Sequence, residues 1–157
     1  MMKTEASPLR AFATLRFEGD ALDISAVTDI LQVFPTLAYR KGEPFKLGKR
    51  GLEKVGQTGY WFLNTKDLVG TQDLNDHASF LIERLAGEAS RLDRLKALVE
   101  TEALSTLVTL FWFGSAGATP PPVSPRLQSL IGSLRGGIET DFSTKGRDPG
   151  AVEGRAA

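Results

Sequence analysis

The chain has 157 residues, of which 41% are apolar and 24% charged, the composition of one soluble globular domain able to bury a core of its own. Nineteen basic residues balance nineteen acidic ones, so no global field draws the chain towards nucleic acid or an anionic membrane. The absence of cysteine excludes disulfides, thiolate metal sites and cysteine nucleophiles together.

In chain order, MMKTEASPLRAF lacks the continuous apolar stretch of a secretory leader, and residues 1–11 are expected to be flexible. Residues 12–18, FATLRFE, alternate: Phe12, Thr14 and Arg16 face one way, Ala13, Leu15 and Phe17 the other, the period of a strand. Gly19-Asp20 ends it. Asp23 is a good N-cap, because its carboxylate accepts the free amide hydrogens of a first helical turn. Val27, Ile30, Leu31 and Phe34 follow at the spacing of one helix face, and Pro35 stops the helix. Residues 36–41 predict a second strand with Leu37 and Tyr39 on one face. Residues 42–57, rich in glycine and lysine without a clear period, predict a long loop of functional or mobile character. Residues 58–65, TGYWFLNT, predict a strand apolar on both sides, with Trp61 and Leu63 opposite Tyr60 and Phe62, and therefore covered on both faces or held at a crowded corner.

From Asp73 to Thr101 the stripe is helical and Gly87 interrupts it, which predicts two helices or one broken helix. Residues 104–113, LSTLVTLFWF, are β-branched and aromatic and predict a central strand. The run LVTLFWF is far short of the roughly 20 residues that cross a bilayer, so a cytoplasmic protein is expected. Ser124-Pro125 starts a helix with buried positions Leu127, Leu130, Ile131 and Leu134, and Gly136 is placed to take a left-handed closing conformation. Ile138, Thr140 and Phe142 alternate as a last strand. Residues 144–157 have little to bury and predict a disordered tail. The fold class is α+β over residues 12–143: a ferredoxin-like β-α-β-β-α-β arrangement, mainly antiparallel with helices on one face, plus a C-terminal helix and strand.

The run LQVFPT (31–36), Lys41-Gly42-Glu43, a variable loop and Trp61 inside the next strand follow one another in the order of a known pattern. On these residues the chain resembles the bacterial domain-of-unknown-function family DUF4279 over roughly residues 12–143. That family has glycine where this chain has Gln32. If the glycine serves a left-handed helix end, Gln32 bears a Cβ cost of about 1 kcal/mol; otherwise the helix ends differently here. The resemblance implies a small bacterial α+β protein and carries no activity with it.

GEPFKLGKRG (42–51) invites a phosphate-cradle reading. The spacing between Gly42 and Gly48 is one residue too long, however. Arg50 stands where a magnesium-binding hydroxyl belongs, Pro44 removes an amide, and no helix follows. What remains is a concentration of charge, Arg40, Lys41, Lys46, Lys49, Arg50 and Lys54, mixed with Tyr39 and Phe45. Such a loop binds a polyanion or an acidic protein surface, or is simply a solvated hairpin loop. His77 shares a helix face with Asp73 and lies beside Asp76, an arrangement that suits a metal site or a base, and equally an ordinary helix start. FGSAG (113–117) has Phe113 where a nucleophile elbow needs glycine, and only His77 is available to serve Ser115. Glu18 and Asp20 are a turn pair of carboxylates. Trp61, Trp112, Phe111 and Phe113 either line an apolar pocket or belong to the core.

These readings lead to a non-enzymatic protein-binding module, immunity-like or accessory by analogy with other small bacterial domains. The alternative is a binder of a phosphorylated small molecule or polyanion through residues 40–54, with Tyr39, Tyr60 and Trp61 as an aromatic surface. No catalytic residue, metal or cofactor is expected. The partner expected is another protein rather than nucleic acid or membrane, and the chain is monomeric or a homodimer through an exposed edge strand.

Overall fold

The computed structural model describes residues 8–146. Twelve elements follow in the order β1 (Pro8–Gly19), α1 (Ile24–Leu31), β2 (Leu37–Tyr39), β3 (Pro44–Leu47), β4 (Leu52–Val55), β5 (Gly59–Asn64), a 3-10 turn (Thr65–Asp67), α2 (Leu74–Ala86), α3 (Arg91–Thr101), β6 (Ser105–Gly114), α4 (Pro125–Ser133) and β7 (Gly137–Thr144). The main sheet has five strands in the order β2-β5-β1-β6-β7, antiparallel except for the parallel pair β6–β7. β1 and β2 run parallel with β5 between them, the result of a crossover through α1.

The α+β class is as the sequence predicts, and two further strands are inserted between the second and third strands of the predicted order. Residues 42–57, expected as a loop, form a separate two-stranded ribbon of β3 and β4. Apolar alternation could not announce it, because β4 is exposed along its whole length and β3 is exposed except at Phe45. Gly48 and Gly51 sit at φ +77° and +66°, the left-handed conformation that the four-residue turn demands, and the Gly51 amide donates to Gly48 O at 3.0 Å. β1 begins at Pro8, inside the stretch expected to be flexible, and β7 runs on to Thr144. Residues 1–7 and the expected tail from 147 onward lie outside the described residues.

All four helices lie on one side of the sheet. Ala11, Ala13, Leu15 and Phe17 of β1, Trp61 and Leu63 of β5, and Val108, Leu110 and Trp112 of β6 meet Val27, Leu31, Leu81, Leu85, Leu95 and Leu127 in one core. Asp23 caps α1 by accepting from the Ala26 amide at 3.1 Å, and Ser124 caps α4 by accepting from Leu127 at 3.2 Å with Pro125 in the first turn.

Helix α1 stops at Leu31 because Gln32 turns left-handed, at φ 55° and ψ 42°. Phe34 therefore does not continue the buried face and is 82% exposed. At the end of α4 the positive φ falls on Arg135 rather than Gly136; glycine is needed at 136 because a Cβ would lie 2.6 Å from Thr106 O. The predicted break at Gly87 separates α2 from α3, and the buried Arg91 closes it. Its Nη1 donates to the last carbonyls of α2, Glu83 O at 3.0 Å and Arg84 O at 3.2 Å, and its Nη2 pairs with Glu88 at 3.3 Å.

Candidate functional site

The sheet face away from the helices is only half-buried, and strand parity decides what it carries. Across the register from β2 to β6, Tyr39 aligns with Tyr60 and Glu18, and Leu37 with Phe62, Arg16 and Leu107. Next comes a polar belt of Asn64, Thr14, Thr109 and Glu139. Beyond it Phe12 aligns with Phe111 and Asp141, and Arg10 with Phe113 and Ser143. The face thus holds two aromatic patches divided by the belt.

The first patch is a row of stacked rings. Phe45 of the ribbon lies 3.9 Å from Tyr39, Tyr39 lies 5.1 Å from Tyr60, and Tyr60 lies 5.8 Å from Phe62, with interplanar angles of 5°, 21° and 9°. Gly56 lets the ribbon root close against the row, since a Cβ there would meet the Tyr39 ring at 2.6 Å. Arg16 and Glu18 form an ion pair at 3.6 Å beside the row. Burial pushes the Tyr39 hydroxyl above its ordinary range, and the neighbouring Tyr60 and Glu18 add to it. Burial does the same at Tyr60, opposed by a hydrogen bond from Arg16. Both phenols therefore stay neutral at physiological pH and able to donate.

The second patch is the stacked pair Phe12–Phe111, with centroids 4.5 Å apart. Arg10 and Lys66 lie over the Phe12 ring at 5.4 and 6.0 Å, within cation–π reach. A shallow groove of about 480 Å³ runs along this patch between Arg10 and Asp141.

Of the residues singled out from sequence, Tyr39 and Tyr60 stand together in the first patch. Trp61 does not join them. It is fully buried on the opposite face, edge-on to Phe17 at 5.9 Å, and its Nε1 donates to Thr28 Oγ1 at 3.0 Å. Adjacent residues of a strand point to opposite sides, so Tyr60 at the surface puts Trp61 in the core. β5 is covered on one face only. The same parity divides the other aromatics: Trp112 packs in the core, and Phe111 and Phe113 lie on the open face.

The six cations of residues 40–54 do not form a cradle. Arg40 pairs with Glu43 at 3.8 Å and Lys41 with Asp20 at 3.0 Å. Lys46 and Lys54 project from opposite faces of the ribbon, with Lys46 directly across from Glu53. Lys49 and Arg50 occupy the turn. The Gly42 amide, wanted by a phosphate loop, donates to Gly56 O at 2.9 Å.

His77 is buried with both ring nitrogens engaged. Nε2 donates to Thr71 O at 2.8 Å, and Nδ1 lies 2.6 Å from Thr65 Oγ1. Asp73 caps α2 through the Asn75 amide at 2.9 Å, and Asp76 accepts from Thr71 Oγ1 at 2.7 Å. The constellation is thus a helix start knitted to the strand ends. Glu18 and Asp20 turn to different cations, Arg16 and Lys41. Phe12, Phe62, Phe111, Phe113 and Arg16 complete the open face. The sequence signal that finds them is a run of period-two strands in which both parities carry large apolar groups.

No curated protein and no solved structure matches the chain. The family model of DUF4279, a domain of unknown function, matches residues 7–145, nearly all of the described fold, and the chain belongs to that family.

Proposed function

We propose that the chain is a non-enzymatic module that binds another protein through the row Phe45–Tyr39–Tyr60–Phe62. The observation that carries this reading is the row itself: stacked, half-exposed rings on the main sheet, with none of the described helices over them. Tyrosine and phenylalanine held by stacking lose little side-chain freedom on binding and give large contact area, and the neutral phenols add donors. The flanking charges are mixed, Arg16 against Glu18, which suits a protein surface better than a phosphate backbone. An accessory or immunity-like role needs no reaction beyond such binding.

The second reading, a phosphorylated small molecule or polyanion held by residues 40–54, rests on Lys49 and Arg50 at the ribbon tip. The spread of the remaining cations over both ribbon faces weighs against it. The test compares the wild-type chain with Tyr39→Ala/Tyr60→Ala as baits in a native lysate and follows the melting temperature with nucleotides and phosphorylated metabolites. A protein retained by the wild type and lost by the variant supports the first reading. A melting shift with a phosphorylated compound and no retained protein supports the second.

A further inference from the structure

The β3–β4 ribbon presents an apolar face whose far end the described residues leave exposed. The register places Phe45, Leu47, Leu52 and Lys54 on that face. Phe45 anchors it to Tyr39, but Leu47 and Leu52, directly paired at the far end, are 47% and 58% exposed. A two-stranded ribbon outside the main sheet is marginally stable in water by itself, and covering its leucine pair would add to that stability.

The charges indicate what the cover is. Residues 44–55 hold Lys46, Lys49, Arg50 and Lys54 against Glu53, while the whole chain is neutral, so the remainder carries a matching acidic excess of three. The second aromatic patch of the open face, Phe12, Phe111 and Phe113, carries Arg10 and Lys66 over Phe12 and is flanked on its β7 border by Glu139 and Asp141. Neither carboxylate makes an ion pair among the described residues. This patch lies on the β6–β7 side of the sheet, and the ribbon is rooted at the other edge, three strands and roughly 14 Å away at the usual strand spacing.

We propose that the ribbon is a self-association arm: its leucine face seats on the Phe12–Phe111–Phe113 patch of a second copy, with Lys54 against Asp141, and that copy's ribbon returns the contact. An isologous pair makes the contact twice, so each ribbon has to bury only about half of the roughly 1,000 Å² expected of a specific interface. A nucleic acid is the poorer occupant, because leucines lead the seating face and, on the receiving one, Glu139 and Asp141 offset Arg10 and Lys66. The contact uses the far end of the sheet face and leaves the Tyr39–Tyr60 row free. It therefore goes beyond the protein-binding reading, and either can fail without the other.

Sedimentation equilibrium of the full chain over a wide concentration range tests the arm. A reversible dimer is expected, weakened at least tenfold by Leu47→Asp/Leu52→Asp and by Lys54→Glu. Adding Asp141→Lys to Lys54→Glu is expected to restore it, with circular dichroism unchanged throughout because every substituted residue is exposed. A wild-type chain that stays monomeric overturns the proposal, as does a leucine variant that dimerises like wild type or a charge-swapped variant that stays weak. A monomer that still loses a lysate partner on Tyr39→Ala/Tyr60→Ala would overturn the arm alone.

Discussion

Tyr39 and Phe45 face each other 3.9 Å apart with ring planes 5° from parallel, and this stack joins the β3–β4 ribbon to edge strand β2. The ribbon shares no strand pairing with the main sheet. Its place is set by that stack and by two backbone bonds at its root, Gly42 to Gly56 O at 2.9 Å and Gly56 to Glu43 O at 3.0 Å.

Phe45→Ala removes the stack, worth about 0.5–1.5 kcal/mol beyond its area. Because β3 and β4 pair with no strand of the main sheet, the effect is expected in the ribbon and not in the core. Hydrogen exchange should quicken several-fold at the Gly42 and Gly56 amides and stay unchanged at Leu15 and Leu63.

Gln32 closes α1 at φ 55°, donating its amide to Thr28 O at 2.8 Å. Any residue with a Cβ is strained there, and glycine is not. Gln32→Gly keeps the carbonyl that Arg84 Nη1 reaches at 2.7 Å. It loses the side-chain bond to Asp29 O and gains unfolded-state freedom. The net expectation is a stabilisation of up to about 1 kcal/mol, read as a melting temperature a few degrees higher. A lower melting temperature would show that the side-chain bond outweighs the strain.

Thr65 Oγ1 is buried and sits among three partners: the Ala13 amide at 2.9 Å, Ala13 O at 3.1 Å and His77 Nδ1 at 2.6 Å. It continues the pairing of β1 where β5 has ended. Thr65→Val keeps the volume and leaves buried polar groups without a partner, at about 1–3 kcal/mol each. Chemical denaturation should show a loss of 2 kcal/mol or more, about the cost of two such groups. Thr109→Val, on the half-exposed open face, should change stability by less than about 0.5 kcal/mol.

The pH profile of stability should fall at both ends. The Asp23 carboxyl is held below its ordinary range first by the Ala26 amide and then by Ser25, and Asp20 by its bonds to Lys41 and Thr58. These contributions are present above the unfolded value near pH 4 and are lost as pH falls through the lower folded values. Tyr39 and Tyr60 are raised, so theirs is full below about pH 10 and is lost as pH climbs through the folded values. Asp23→Asn keeps the cap and should flatten the acid limb. Tyr60→Phe should flatten the alkaline one. Melting temperature against pH and phenolate absorbance read both.

Along β1 the alternation that sets Ala13, Leu15 and Phe17 against Phe12, Thr14 and Arg16 is legible in the sequence, and the first set is the core parity. In β5 both parities are aromatic. Alternation then separates Tyr60 from Trp61 but cannot say which side the helices cover, because that depends on crossovers through α1 and α2 far along the chain. The ribbon was illegible for another reason: a strand that buries neither face has no apolar period to read. Arg91, buried by capping α2, is likewise invisible in a pattern that expects arginine in water.

Binding through the proposed row Phe45–Tyr39–Tyr60–Phe62 is open to a direct test. Its most direct measurement is quantitative capture from native lysate by the wild-type chain and by Tyr39→Ala/Tyr60→Ala, with matched circular dichroism. A protein is expected to be held in stoichiometric amount by the wild type and reduced at least tenfold in the variant, since central aromatic truncations commonly cost about 2 kcal/mol or more. Equal capture by both chains, or no capture together with a melting shift from a phosphorylated compound, would contradict it.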